Sequence, residues 1–86
     1  MERYQYLRAL ISQLLEESPL TSEEVIADVR HLMNVGEEEL AFDMMCSWIY
    51  EDSLAITSVY YERLAAAAQE LGTPKSTERL DELVEG

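Results

Sequence analysis

The side chains best suited to nucleophilic chemistry are Cys46 and His31, the one cysteine and the one histidine of the chain. A catalytic pair requires the imidazole within hydrogen-bond reach of the thiol. His31 lies opposite Val25 and Val29 on a predicted helix, so we expect it to face water. Cys46 belongs to the next helix, where a cysteine is most often a small buried apolar side chain. The spacing therefore predicts no cysteine–histidine pair.

Metal binding and carboxylate catalysis have little support in the sequence. A structural zinc site needs four cysteine or histidine ligands, and the chain has two such residues in total. Asp28-Val29-Arg30-His31 resembles the carboxylate-x-x-histidine element of di-iron bundles, which requires two such motifs directed inward. Glycosidase-type chemistry needs two carboxyl groups in a cleft, for which a small bundle has little room. We therefore expect no cofactor, no metal and no enzymatic activity.

Acidic residues dominate the charge of the chain. Its 86 residues include 18 Asp and Glu against 6 Lys and Arg, for a formal net charge of −12. Phosphate contacts need clustered Lys and Arg, so we expect no binding to nucleic acid, and an anionic membrane surface would repel the chain. Negative charge instead accelerates the encounter with a basic protein. The composition therefore favours a basic protein partner.

The candidate partner-binding residues lie at both ends of the third predicted helix. Tyr50 lies near one end, and a tyrosine inside an acidic rim suits an interface. Acidic residues at a helix start also complement the helix dipole, so this explanation stays open for residues 37–39. Trp48 and Tyr60 are expected to pack in the core. The predicted binding residues are Glu37, Glu38, Glu39, Asp43, Tyr50, Glu51 and Asp52.

Helical periodicity extends over nearly the whole chain, and glycine and proline are few. We predict one all-α domain over residues 1–86, a compact antiparallel bundle of four helices plus a short C-terminal helix. The C-terminal helix is marginal alone and needs to dock on the bundle. The helices are predicted at 3–17, from 21 or 22 to Gly36, at 37–51, at 58–71 and at 77–85.

Several residues are predicted to fix the helix ends and faces. Thr21 with Glu24 fits a capping box, Thr57 is a predicted N-cap, and Gly36 and Gly72 are predicted left-handed C-terminal residues. The third helix has a wide apolar face, with Phe42 outside it, and a narrow polar face. The wide face comprises Leu40, Ala41, Met44, Met45, Trp48 and Ile49, and the narrow face Glu39, Asp43, Cys46 and Tyr50.

The sequence also bears on the compartment. One cysteine excludes an intrachain disulfide and favours a reducing environment. The N-terminus has no signal-peptide pattern, and no apolar run approaches the ~20 residues of a membrane helix. We expect a cytoplasmic protein.

Residues 35–52 resemble the MafI family of small bacterial immunity proteins. The shared features are Gly-Glu before a helix, Leu-Ala near its start, and Cys-x-Trp-Ile-Tyr-Glu-Asp at its end. Ile56, Tyr61-Glu62-Arg63-Leu64 and Leu71-Gly72 continue the pattern to residue 72. The resemblance implies a cytoplasmic antitoxin that binds a cognate secreted toxin domain stoichiometrically and blocks it. Many such toxins are basic and attack nucleic acid.

Three hypotheses follow from the residues and the resemblance together. The leading one is an immunity protein that neutralises a basic, nuclease-type toxin through the acidic residues and Tyr50. An alternative is an acidic helical adaptor or a homodimer that pairs through the wide face of the third helix. A minor third reading is a small enzyme that uses carboxylates.

Overall fold

Four α-helices make up most of the molecule, in the predicted order. The computed structural model describes residues 3–85, so the predicted bounds, 1–86, include three terminal residues outside the described part. The all-α class is confirmed: α1 contacts the other three helices, and α2 packs along α3. No described helix has the length and apolarity that crossing a bilayer requires. The helices are α1 (Arg3–Glu16), α2 (Glu23–Asn34), α3 (Glu38–Glu51) and α4 (Ser58–Leu71).

The C-terminal segment, residues 73–85, docks against α3 and α4. The predicted C-terminal helix is present as two short 3-10 helices, η1 (Pro74–Thr77) and η2 (Leu80–Leu83), rather than as one α-helix. Leu80 is buried and anchors the segment. Val84 and Glu85, the last two residues of this segment, form a strand, β2 (Val84–Glu85), which pairs in parallel with β1 (Ile56–Thr57) before α4. Val84 is therefore in an extended strand, whereas the sequence predicted it in a helix.

Side-chain caps set the starts of α2 and α4. The Ser22 hydroxyl accepts from the Val25 amide at 3.3 Å, so Ser22 caps α2 and the predicted capping box at Thr21 is wrong. Serine is an equally good cap, and one residue decides which hydroxyl reaches the amide. The Thr57 hydroxyl accepts from the Tyr60 amide at 3.0 Å, as predicted.

Helices α2, α3 and α4 end in the same Schellman motif. Gly36 and Gly72 adopt positive φ angles of 82° and 74°, as predicted. Ser53 takes the equivalent position after α3 with φ 50°, which the sequence did not indicate because serine rarely adopts this conformation. The closing amide-to-carbonyl distances are 2.8 Å from Glu37 to Leu32, 3.0 Å from Leu54 to Ile49 and 2.9 Å from Thr73 to Ala68.

The core is one cluster that draws on every helix. All five predicted inward residues of α4 are buried, among them Tyr60. The predicted face of α3 is partly wrong, because Phe42 and Cys46 are completely buried whereas Leu40 and Trp48 are 51% and 40% exposed. The buried face is rotated toward Cys46 because η1 and η2 cover that side of α3.

Candidate functional site

The predicted binding residues follow α3 from end to end and fall into separate groups. Glu37 precedes the helix, and Glu38 and Glu39 lie in its first turn. Asp43, Tyr50 and Glu51 line a cleft between α3 and the C-terminal segment. Asp52 instead lines a second cleft, between α2 and α3. The structure therefore divides the predicted surface between two clefts and the start of α3.

The first cleft, here called the C-terminal cleft, has a volume of about 180 Å³ and is bordered by the chain's own cations, Lys75 and Arg79. Ser76 Oγ donates to a carboxylate oxygen of Asp43 at 2.9 Å. The Arg79 guanidinium lies 4.4 Å from the centre of the Tyr50 ring, which is a cation–π distance. The C-terminal segment therefore already contacts two residues that were predicted to bind a partner.

Cys46 also borders the C-terminal cleft, but its side chain is buried. Burial, aided by the negative charge of Asp43, raises the pKa of the Cys46 thiol to about 12. The thiol is therefore protonated at neutral pH and is a poor nucleophile. His31 is exposed on α2, as predicted. Within residues 3–85, no group of three or more His, Cys, Asp or Glu side chains is placed to hold a metal ion.

The second cleft, here called the Trp48 cleft, lies where the start of α2 meets the end of α3. Its volume is about 220 Å³, and its wall includes the half-exposed indole of Trp48. The prediction that Trp48 belongs to the core is wrong, because the core of α3 lies toward Cys46. The cleft is lined by Ser22, Glu24, Val25, Asp28, Trp48 and Asp52.

Local structure explains how these side chains come together. Ser22 caps α2, and the buried Val25 anchors the first turn of that helix to the core. Glu24 and Asp28 are four residues apart and therefore lie on the same side of α2. The Schellman turn at Gly36 reverses the chain, so that Trp48 at the end of α3 returns to the start of α2.

The cations of the chain lie away from the Trp48 cleft. Three arginines form ion pairs with carboxylates outside α2 and α3: Arg3 with Glu70, Arg63 with Glu17, and Arg79 with Glu82. Arg8 and Arg30 line another cleft, between α1 and α2. Lys75 borders the C-terminal cleft. The three carboxylates of the Trp48 cleft therefore have no basic residue beside them in its lining.

The predicted binding surface included Asp52 but not Glu24, Asp28 or Trp48, which line the same cleft. The sequence does contain two related spacings: Glu24 and Asp28 are four residues apart, as are Met44 and Trp48, so each pair lies on one side of its helix. Neither spacing states that α2 and α3 meet at these residues, which is a tertiary contact.

Comparison with known proteins gives no relative: no family model, curated protein or solved structure matches the chain. The resemblance of residues 35–72 to MafI immunity proteins therefore stays a prediction.

Proposed function

We propose that this chain is a cytoplasmic immunity protein that binds a basic toxin domain stoichiometrically and blocks it, and that it catalyses no reaction. The observation that carries the proposal is the excess of negative charge on α2 and α3 that forms no ion pair within residues 3–85. Residues 23–52 contain nine carboxylates against a single basic residue, Arg30. The ion pairs found within residues 3–85 all use carboxylates outside this segment.

Uncompensated charge of one sign has a cost in the free protein and a use in a complex. Like charges repel one another in the compact state and slightly destabilise it. A partner of opposite sign relieves that repulsion and is steered toward the surface during its approach. The resemblance to MafI immunity proteins names the class of partner that this charge fits, a toxin domain with a basic surface.

The test is protection of cells against the toxin domain encoded beside this chain. The wild-type chain is expected to protect cells and to form a 1:1 complex in size-exclusion chromatography. The test variant reverses three carboxylates of α3 to lysine: Glu39, Asp43 and Glu51. The matched control reverses three exposed carboxylates elsewhere: Glu16, Glu62 and Glu78.

We expect the control to protect and the test variant to fail while retaining its helical circular dichroism spectrum. If the folded test variant still protects, the assignment of the binding surface to Glu39, Asp43 and Glu51 is wrong. If the wild-type chain neither binds nor protects, the immunity function itself is wrong.

An adaptor that homodimerises through α3 is the second candidate, because Leu40, Met44 and Trp48 form an apolar stripe on that helix. Leu40 and Trp48 are half-exposed, and Met44 is partly buried. Sedimentation at several concentrations separates the two candidates. A dimer in which Trp48 becomes inaccessible to a fluorescence quencher would favour the adaptor.

A further inference from the structure

An apolar face of α3 is only partly covered by the part of the chain that the structure describes, residues 3–85. Leu40, Met44 and Trp48 recur every four residues and therefore follow one side of the helix. Leu40 and Trp48 remain 51% and 40% exposed. Isolated exposed apolar side chains are ordinary, but a row of three that ends in a cleft is typical of an interaction surface.

The charge around this stripe indicates which kind of partner can bind it. At its Trp48 end, Glu24, Asp28 and Asp52 line the same cleft as the indole, and that lining includes no basic side chain. A second copy of the chain would bring the same carboxylates to the interface, because a two-fold contact presents one surface to itself. Like charges placed opposite each other across an interface repel strongly and disfavour that pairing. The occupant must therefore carry positive charge.

We propose that the Trp48 cleft receives an arginine side chain from a basic protein partner, and that the stripe packs against apolar residues flanking that arginine. The proposal rests on the proposed function and names the chemistry of the partner's contact. A planar guanidinium stacks on an indole face while its N–H groups donate to carboxylates at the edge. The cleft has a volume of about 220 Å³, which is enough to receive one long side chain.

Lysine suits this cleft less well than arginine. Its ammonium is compact and strongly hydrated, and it makes no planar stack. The cleft lining combines a flat aromatic ring with three carboxylates, and a guanidinium can stack on the ring while its fork of N–H groups donates to carboxylates. Arginine is therefore expected to bind more tightly than lysine at equal charge.

The experiment uses the full chain and the fluorescence of Trp48, which is its one tryptophan. The probe is a 12-residue amphipathic peptide with leucines on one face and a single central residue that is arginine, lysine or citrulline. Citrulline keeps the shape of arginine but is neutral. We expect the arginine peptide to shift the Trp48 emission and to bind about tenfold more tightly than the citrulline peptide, with lysine between them. Added salt should reduce that difference.

Two isosteric variants separate the cleft from the overall charge of the chain. The cleft variant carries Asp28→Asn with Asp52→Asn, and the matched control carries Glu62→Gln with Asp81→Asn, both exposed outside the cleft. The cleft variant is expected to lose about tenfold in affinity for the arginine peptide and the control less than twofold. A Trp48→Leu variant, followed by calorimetry, should bind the arginine and lysine peptides equally.

Equal affinity for arginine and citrulline peptides, or equal losses in the cleft variant and its control, would overturn the proposal. So would a wild-type dimer that buries Trp48 before any peptide is added. Protection against the toxin distinguishes this inference from the function on which it rests. If the cleft variant loses the peptide but still protects, the partner contact is wrong and the immunity function stands. If the peptide results hold but the wild-type chain does not protect, the cleft stands and the immunity function fails.

Discussion

The Schellman turn after α3 has a serine where the turns after α2 and α4 have glycines, and this difference predicts a stability change. Ser53 has a φ of 50° and Gly72 a φ of 74°. A residue with a Cβ in this region costs about 1–2 kcal/mol. Glycine avoids that cost but loses about 0.4–1 kcal/mol through its more flexible unfolded state. Ser53→Gly should therefore stabilise the fold by about 0.5–1 kcal/mol net.

The reverse exchange at the end of α4 is the matched experiment. A Cβ added at Gly72 would meet no atom within 4 Å, so Gly72→Ala measures the backbone conformation without a clash. We expect it to destabilise the chain by about 1 kcal/mol. In urea, the free energy of unfolding of a chain of this size falls by about 1 kcal/mol per M. The midpoint of Ser53→Gly should therefore rise by about 0.5–1 M and that of Gly72→Ala should fall by about 1 M.

A Ser53→Ala control separates the hydroxyl from the backbone, because alanine keeps the Cβ and should leave the midpoint near that of the wild type. Two results would refute the reasoning. One is a Gly72→Ala variant at least as stable as the wild type, and the other is a Ser53→Ala variant as stabilised as Ser53→Gly.

Three further perturbations test the packing. Leu80→Ala should weaken the docking of residues 73–85 by about 2–5 kcal/mol. Amide hydrogen exchange should then become faster in residues 73–85 than in α4, and an equal increase in both would contradict local undocking. Tyr60→Phe removes the 2.6 Å bond that the phenol donates to the Leu14 carbonyl and should cost about 1–3 kcal/mol in urea; an unchanged midpoint would contradict that bond. Folding raises the pKa of the Cys46 thiol from 9.0 to about 12, because the buried site favours the neutral thiol. The free energy of unfolding is therefore unaffected by this group below pH 9 and falls as the pH rises from 9 toward 12. The loss is about 2 kcal/mol by pH 10.5, and Cys46→Ala should remove it from urea midpoints compared at pH 8 and 10.5.

Local signals predicted α4 closely because they agree with one another. Thr57 caps its start, Gly72 ends it, and the inward positions follow the helical period. The face of α3 was harder to predict because its apolar residues cover a wide arc. Which part of that arc is buried depends on the C-terminal segment, which covers the Cys46 side. That contact joins residues about thirty positions apart, and a periodic pattern within one helix does not contain it.

The candidate site was predictable in composition but not in arrangement. The acidic character of residues 37–52 follows from the sequence, and so does the exposure of His31 on α2. The contact of Arg79 with Tyr50 and the grouping of Asp28 with Trp48 both depend on packing between distant segments. A 3-10 helix has about three residues per turn, so over a short segment its apolar residues have nearly the same spacing as in an α-helix. For this reason η2 was predicted as part of an α-helix.

The parallel pairing of β1 with β2 gives the chain a mechanical property. Tension applied between Arg3 and Glu85 enters β1 at its amino end and leaves β2 at its carboxyl end, so that it pulls the two strands lengthwise in opposite directions. The paired residues, Ile56 with Val84 and Thr57 with Glu85, then carry the load in shear. Residues 58–83 lie between the two strands in the sequence, so the backbone of α4 is drawn out along the chain only after this pairing has separated.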